Sequence, residues 1–185
     1  MKEKYSRGEL AKEILKGLAL GGFIAVCFVA PNLAQVIKMF ETKDWKDRDR
    51  LKKSLSGLQR QKLIKVSYNK KMEEIIEVTE KGRTKILKYK FDDLKITPPK
   101  KWDKMWRLVA FDMPEKKKKA RDSLTVKLQE IGFYPLQKSV FIYPYACGDE
   151  IDFICGFFGI KEFVHYFVIK EAEDTSELKK KFNLK

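Results

Sequence analysis

Histidine is nearly missing from this chain: His165 stands alone among 185 residues. One imidazole leaves a zinc site short of its usual ligands and gives a Ser-His-Asp triad little material. Cysteine is scarce as well. Cys27, Cys147 and Cys155 are odd in number, form no C-x-x-C, and two of them lie in apolar runs. Such a set makes no disulfide framework and predicts buried thiols in a reducing compartment, the cytoplasm. A cleavable signal is lacking too, since the first residues are too charged and no cleavage-type site follows. Long apolar runs are also in short supply. From Gly17 to Ile37 there are 21 residues without a charge, and a bilayer core needs about 20. Gly17, Gly21 and Gly22 loosen the start of this stretch, and Pro31, Asn32 and Gln35 make its last third polar and kinked. Only residues 18–30 are strongly apolar, so the stretch reads as a buried helix and no membrane partner is expected.

What the chain has in plenty is positive charge. The net charge is +14, with 36% charged residues, and the 44% hydrophobic and 12% aromatic content still builds a core. This balance points to a polyanionic partner, with nucleic acid first. Residues 1–99 carry 23 Lys+Arg against 13 Asp+Glu, and residues 100–185 carry 17 against 13. The attraction is therefore concentrated in the first half.

Periodicity divides the chain at ITPPKKW, residues 96–102, where Pro98 and Pro99 stiffen a linker. The domains expected are 1–97 and 98–185. In the first, Ser6 and Glu9 form a capping box for a helix over 6–20, with Leu10, Ile14 and Leu18 on one face. A second helix is expected within 22–40. A third covers 44–62, capped by Asp44, with Leu51, Leu55, Leu58 and Lys62 on one stripe. LIKVSY and EEIIEV then form a hairpin whose tip carries Lys70 and Lys71, and Thr79 caps a following helix. Three helices and a hairpin make a winged helix-turn-helix. It would grip double-stranded DNA through Lys46, Arg48, Arg50 and Lys53 of the third helix and Lys70 and Lys71 of the wing.

The second half reads β-α-β-β-α-β, so the fold class is α+β, with the winged helix followed by a ferredoxin-like domain. WRLVAFD is the first strand. Its helix puts Ala120, Leu124, Leu128 and Ile131 on the core and stops at Gly132. A second helix opens at Asp149, and EFVHYFVIK is the last strand, with TSELKKKF as a terminal helix or tail. The strands are apolar on both faces, whereas two helices cover one. The other face calls for a cover. A second copy packed sheet to sheet is the simplest, and the chain's own N-terminal domain or tail is the alternative.

Residues 102–146, WDKMWRLVAFDMPEKKKKARDSLTVKLQEIGFYPLQKSVFIYPY, resemble the central domain of PaaX-type transcriptional regulators, the phenylacetate-catabolism repressor family. The matching elements are W-x-x-x-W-R-L, F-D-M-P-E, Arg121, G-F and L-Q-K-S-V-F. That domain is in turn similar to the CRISPR-associated protein Cas-two, in which an aspartate ends the first strand. The resemblance implies a dimeric DNA-binding repressor that needs no cofactor. PaaX-type repressors usually continue into a third domain and this chain ends at 185, so an aryl-CoA effector is not expected. The CRISPR relatives usually lack a winged helix, so the chain looks like a shorter hybrid.

The resemblance also offers an alternative centred on Asp112. In the CRISPR relatives two copies of this aspartate, one from each protomer, are proposed to hold a divalent metal. The chain would then be a Mg2+- or Mn2+-dependent nuclease or an adaptation-complex subunit. The residues themselves favour a plainer role, with Asp112 capping the helix, Pro114 at its first turn and Glu115 at its positive end. No second acidic cluster lies close enough in sequence to complete a metal cage. Lys116 to Lys119 oppose the helix dipole, and either nucleic-acid phosphate or plain solvation offsets this.

Overall fold

The structure, a computed structural model, describes residues 6–24, 45–68, 70, 74–170 and 175–184. The chain divides into two compact units, Met1–Asp92 and Asp93–Lys185.

The first unit begins with α1, Arg7–Ile24. Its start is the reciprocal cap written in the sequence. The Ser6 N–H donates to Glu9 Oε2 at 2.8 Å and the Glu9 N–H donates to Ser6 Oγ at 3.3 Å. The Ser6 N–H, donating to that carboxylate, holds the Glu9 carboxyl below its ordinary value. Then come α2 (Trp45–Arg60), β1 (Ile64–Tyr68), β2 (Glu74–Val78) and α3 (Glu80–Asp92). The strands pair antiparallel from Ile64 opposite Val78 to Tyr68 opposite Glu74. Leu10, Ile14, Leu15 and Leu18 of α1 meet Leu51, Leu55 and Leu58 of α2, with Ile64, Ile76 and Ile86 completing the core.

Lys62 departs from the expected stripe. It is exposed and adopts a left-handed φ of 59°. Its N–H donates to the Gln59 carbonyl at 2.8 Å, and the Leu63 N–H donates to the Leu58 carbonyl at 2.9 Å. This pair of bonds ends α2. The expected second helix and the Asp44 cap lie outside the described residues, apart from residues 22–24 at the end of α1.

The second unit runs β3 (Trp106–Phe111), a 3-10 turn (Glu115–Lys117), α4 (Lys118–Glu130), β4 (Tyr134–Gln137), β5 (Val140–Tyr143), α5 (Gly148–Phe158), a second 3-10 turn (Lys161–Phe163), β6 (Val164–Ile169) and α6 (Ser176–Lys181). The strands form one antiparallel sheet in the order β4-β5-β3-β6. With the β-α-β-β-α-β chain order, this is the ferredoxin-like arrangement. Leu124, Leu128 and Ile131 are buried as expected, and Gly132 ends α4 at φ 103°.

Register assigns the two faces. Arg107, Val109 and Phe111 share a face with Tyr143, Phe141 and Tyr166. Gly132, just after α4, abuts the Tyr143 ring, and Gly148, at the start of α5, abuts the Tyr166 ring. Both long helices therefore lie on this side. The opposite face carries Trp106, Leu108, Ile142, Phe167 and Ile169. One end of it is covered by the chain itself. Trp106, Ile142 and Leu178 form a buried cluster, joined by Trp102, Phe182 and Leu184. The C-terminal tail thus supplies part of the missing cover, and Phe167 stays 47% exposed beyond it.

Candidate nucleic-acid interface and the Asp112 site

Leu51, Leu55 and Leu58 turn one side of α2 into the core of the first unit. At about 100° per residue, Lys46, Arg50, Lys53 and Arg60 cluster on the side away from it. Arg48 lies about 200° round the helix from both Lys46 and Arg50, on a flank beside Leu55. The structure therefore brings together three of the four expected helix cations and adds Arg60. The sequence pattern already held this grouping, because 46, 50, 53 and 60 recur at i, i+4, i+7 and i+14. Asp49 sits within the cluster and pairs with Lys53 at 2.7 Å. Next to this side lies an open groove of about 1010 Å³, lined by Gly8, Leu10 and Ala11 and by Arg50, Lys53 and Arg60. At the hairpin tip Lys70 is exposed, while Lys71 lies outside the described residues.

Thr79 is the cap the sequence predicted. It accepts the Gly82 N–H at 3.1 Å, and its hydroxyl donates to the Lys62 carbonyl at 2.7 Å. The last bond ties the start of α3 to the end of α2, and so fixes the hairpin between them.

Asp112 needs a correction. It is exposed, and Met113 and Pro114 separate it from the first helical turn. The residues at the two cap positions, Pro114 for the 3-10 turn and Lys117 for α4, make no side-chain cap bond. Asp112 is tied down by its backbone, whose N–H donates to the Phe163 carbonyl at 3.1 Å. Capping fails because Pro114 starts a tight 3-10 turn, and the α-helix proper begins only at Lys118. Glu115 instead pairs with Lys118 at 3.7 Å and Arg121 at 3.5 Å. Lys117 donates to the Gly159 carbonyl at 3.3 Å. Two of the four clustered lysines are thus engaged by protein groups. Among the described residues, no three of His, Cys, Asp and Glu come together as a metal site. A cation at Asp112 would need carboxylates from elsewhere.

Asp149 stands inside the first turn of α5, whose cap position is Cys147. Cys147 and Cys155 are free and buried, and burial pushes both thiols up to about 11. Cys27 lies outside the described residues. His165 is exposed on β6. No helix among the described residues is long and apolar enough to cross a membrane. Most of the 17–37 stretch lies outside them.

A buried arginine escaped the sequence reading. Arg107 is 6% exposed in β3. Its guanidinium makes a bidentate pair with Asp103 and donates to the carbonyls of Met105 at 2.7 Å and Pro144 at 3.1 Å. Nε alone is buried without a partner among the described residues. The hydrogen bonds from Arg107 hold the Asp103 carboxyl below its ordinary value. The one signal available was the D-x-x-x-R spacing at the entry to an apolar strand.

No curated protein matches the chain. Residues 99–181, however, match the family model described as the PaaX protein central Cas2-like domain. That range contains every strand of the four-stranded sheet, both helices that pack on it and α6. By its second unit, then, this chain is similar to the central Cas2-like domain of PaaX-type proteins.

Proposed function

We propose that the protein is a dimeric DNA-binding transcription regulator, a repressor in the PaaX-type manner, working in the cytoplasm. The observation that carries this reading is the pairing of a PaaX-type domain with a basic helix and hairpin in the first unit. In this reading the first unit is a winged helix. Its α2 lies in the major groove and its β1–β2 hairpin rests on the neighbouring backbone. Lys46, Arg50, Lys53 and Arg60 reach the duplex first, and Lys70 and Lys71 touch phosphate. Arg48, on the flank, contributes less. The second unit holds two copies together, and no cofactor takes part.

The test is duplex binding measured over a salt series. Substituting Arg50, Lys53 and Arg60 by Ala together should weaken binding at least about tenfold, whereas Arg48→Ala should change it by less than about threefold. Binding left unchanged by the triple substitution would remove α2 from the interface. The nuclease reading keeps one specific support, the exposed Asp112 carboxylate that no helix uses. Hydrolysis of DNA or RNA that a chelator stops and Asp112→Asn abolishes would establish it.

A further inference from the structure

We propose that the outer edge of β6 is the surface through which two copies join, β6 against β6, antiparallel and centred on Tyr166. This deepens the dimeric reading above and rests on it.

β6 ends the sheet order, and among the described residues it pairs with β3 alone. The direction of its free groups follows from one bond. The Asp112 N–H donates to the Phe163 carbonyl, so the backbone of residue 163 faces β3. In an antiparallel ladder this alternates, so His165, Phe167 and Ile169 also face β3. The N–H and C=O groups of Val164, Tyr166 and Val168 therefore point outward. Edge strands are normally blunted by lysine, proline or a bulge. The opposite edge, β4, has both Pro135 and a bulge between Pro135 and Gln137. β6 has neither, and VHYFVI carries no Lys, Arg, Asp or Glu in a chain that is 36% charged. Phe167 is 47% and Val168 51% exposed.

The strand is complementary to itself. With two copies antiparallel about Tyr166, Val164 faces Val168 of the second copy and Tyr166 faces Tyr166. All of these present outward groups, so each pair can exchange both backbone bonds. In the same register Glu162, just before the strand, comes opposite Lys170 of the second copy, just after it. Both are exposed and neither has an ion pair among the described residues. Moving the centre by one residue sets Lys170 against Val164, or Glu162 against Val168, and leaves both charges alone. Charge complementarity thus selects one register and names the occupant as this same chain. Joined this way, two four-stranded sheets become one continuous sheet, and the cover that α6 gives the helix-free face is left in place.

The test is sedimentation of the full chain at micromolar concentration, together with disulfide trapping. Glu162→Lys and Lys170→Glu should each raise the dimer dissociation constant at least about tenfold, and the double exchange should restore it. Val164→Cys with Val168→Cys should link two chains on oxidation, while each single variant should not. The two positions are roughly 13 Å apart along one strand and cannot bridge within a chain. Circular dichroism of each variant should match the parent. A dimer indifferent to the charge exchanges, with no trapping, would overturn the β6 edge and leave the dimeric reading standing. A chain that stays monomeric would overturn both.

Discussion

Met113 and Pro114 stand between Asp112 and the first helical turn, and this short gap changes what Asp112→Ala should cost. A true cap would lose about 0.5–2 kcal/mol. An exposed carboxylate that makes no cap bond should lose no more than about 0.5 kcal/mol. Urea unfolding distinguishes the two values. The carboxylate that matters for stability is Asp103, which holds Arg107. Its folded pKa lies below the unfolded one, so its contribution is full above the ordinary value of 3.8 and is lost as pH falls through the lowered one. Asp103→Asn should reduce stability at neutral pH by about 1–2 kcal/mol and flatten the acid limb below pH 4. Tryptophan fluorescence can follow this, since Trp102 and Trp106 pack on each other at 5.1 Å nearby. An acid limb as steep as the parent's would show that the pair does not supply it.

At the scale of elements, the junction of α2, β1, β2 and α3 depends on three small features. Lys62 holds a left-handed backbone that glycine adopts without a Cβ clash. Lys62→Gly should therefore raise the melting free energy by about 0.5–1 kcal/mol. Gly82 is required for a different reason. A Cβ there would sit 2.1 Å from the Leu63 carbonyl oxygen and 2.7 Å from Val78 Cγ1. Backbone cannot yield as a flexible side chain does, so Gly82→Ala should cost about 1–3 kcal/mol. If Gly82→Ala melts like the parent, the close approach of α3 to β1 is not needed for folding. Thr79 joins the two features, since it takes the Gly82 N–H and reaches back to the Lys62 carbonyl.

At the scale of the molecule, charge and symmetry make one prediction together. Most of the surplus of lysine and arginine falls before residue 100, so duplex affinity should drop steeply with salt. Each phosphate contact removed should lower the log–log slope by about one. Lys70→Ala with Lys71→Ala should thus flatten the salt dependence without altering sequence preference, whereas Arg50→Ala should alter preference if its guanidinium meets base edges. A salt slope unchanged by the double substitution would take the hairpin tip out of the interface. In the proposed dimer, two copies would double the contacts on one duplex, so variants that separate the copies should lower the slope as well.

Much of this was written in short-range pattern. Ser6 with Glu9, Thr79 before its helix, the leucines of α1 and α2 and the Gly132 stop are local devices. Their geometry is set within a turn or two, so spacing alone determines them. The β-α-β-β-α-β order was legible for the same reason, as was the need to cover a second sheet face. What tertiary structure decided were matters of distant neighbours. Asp112 lost its cap because the turn after it tightened, and its backbone went to Phe163 instead. Arg107 could be buried only where the Pro144 carbonyl and Asp103 met it. The tail's cover over Trp106 and the outward backbone of β6 depend on which strands are neighbours and which lies at the edge. Sequence spacing sets the period of an element, and pairing between distant segments sets which of its groups remain unused.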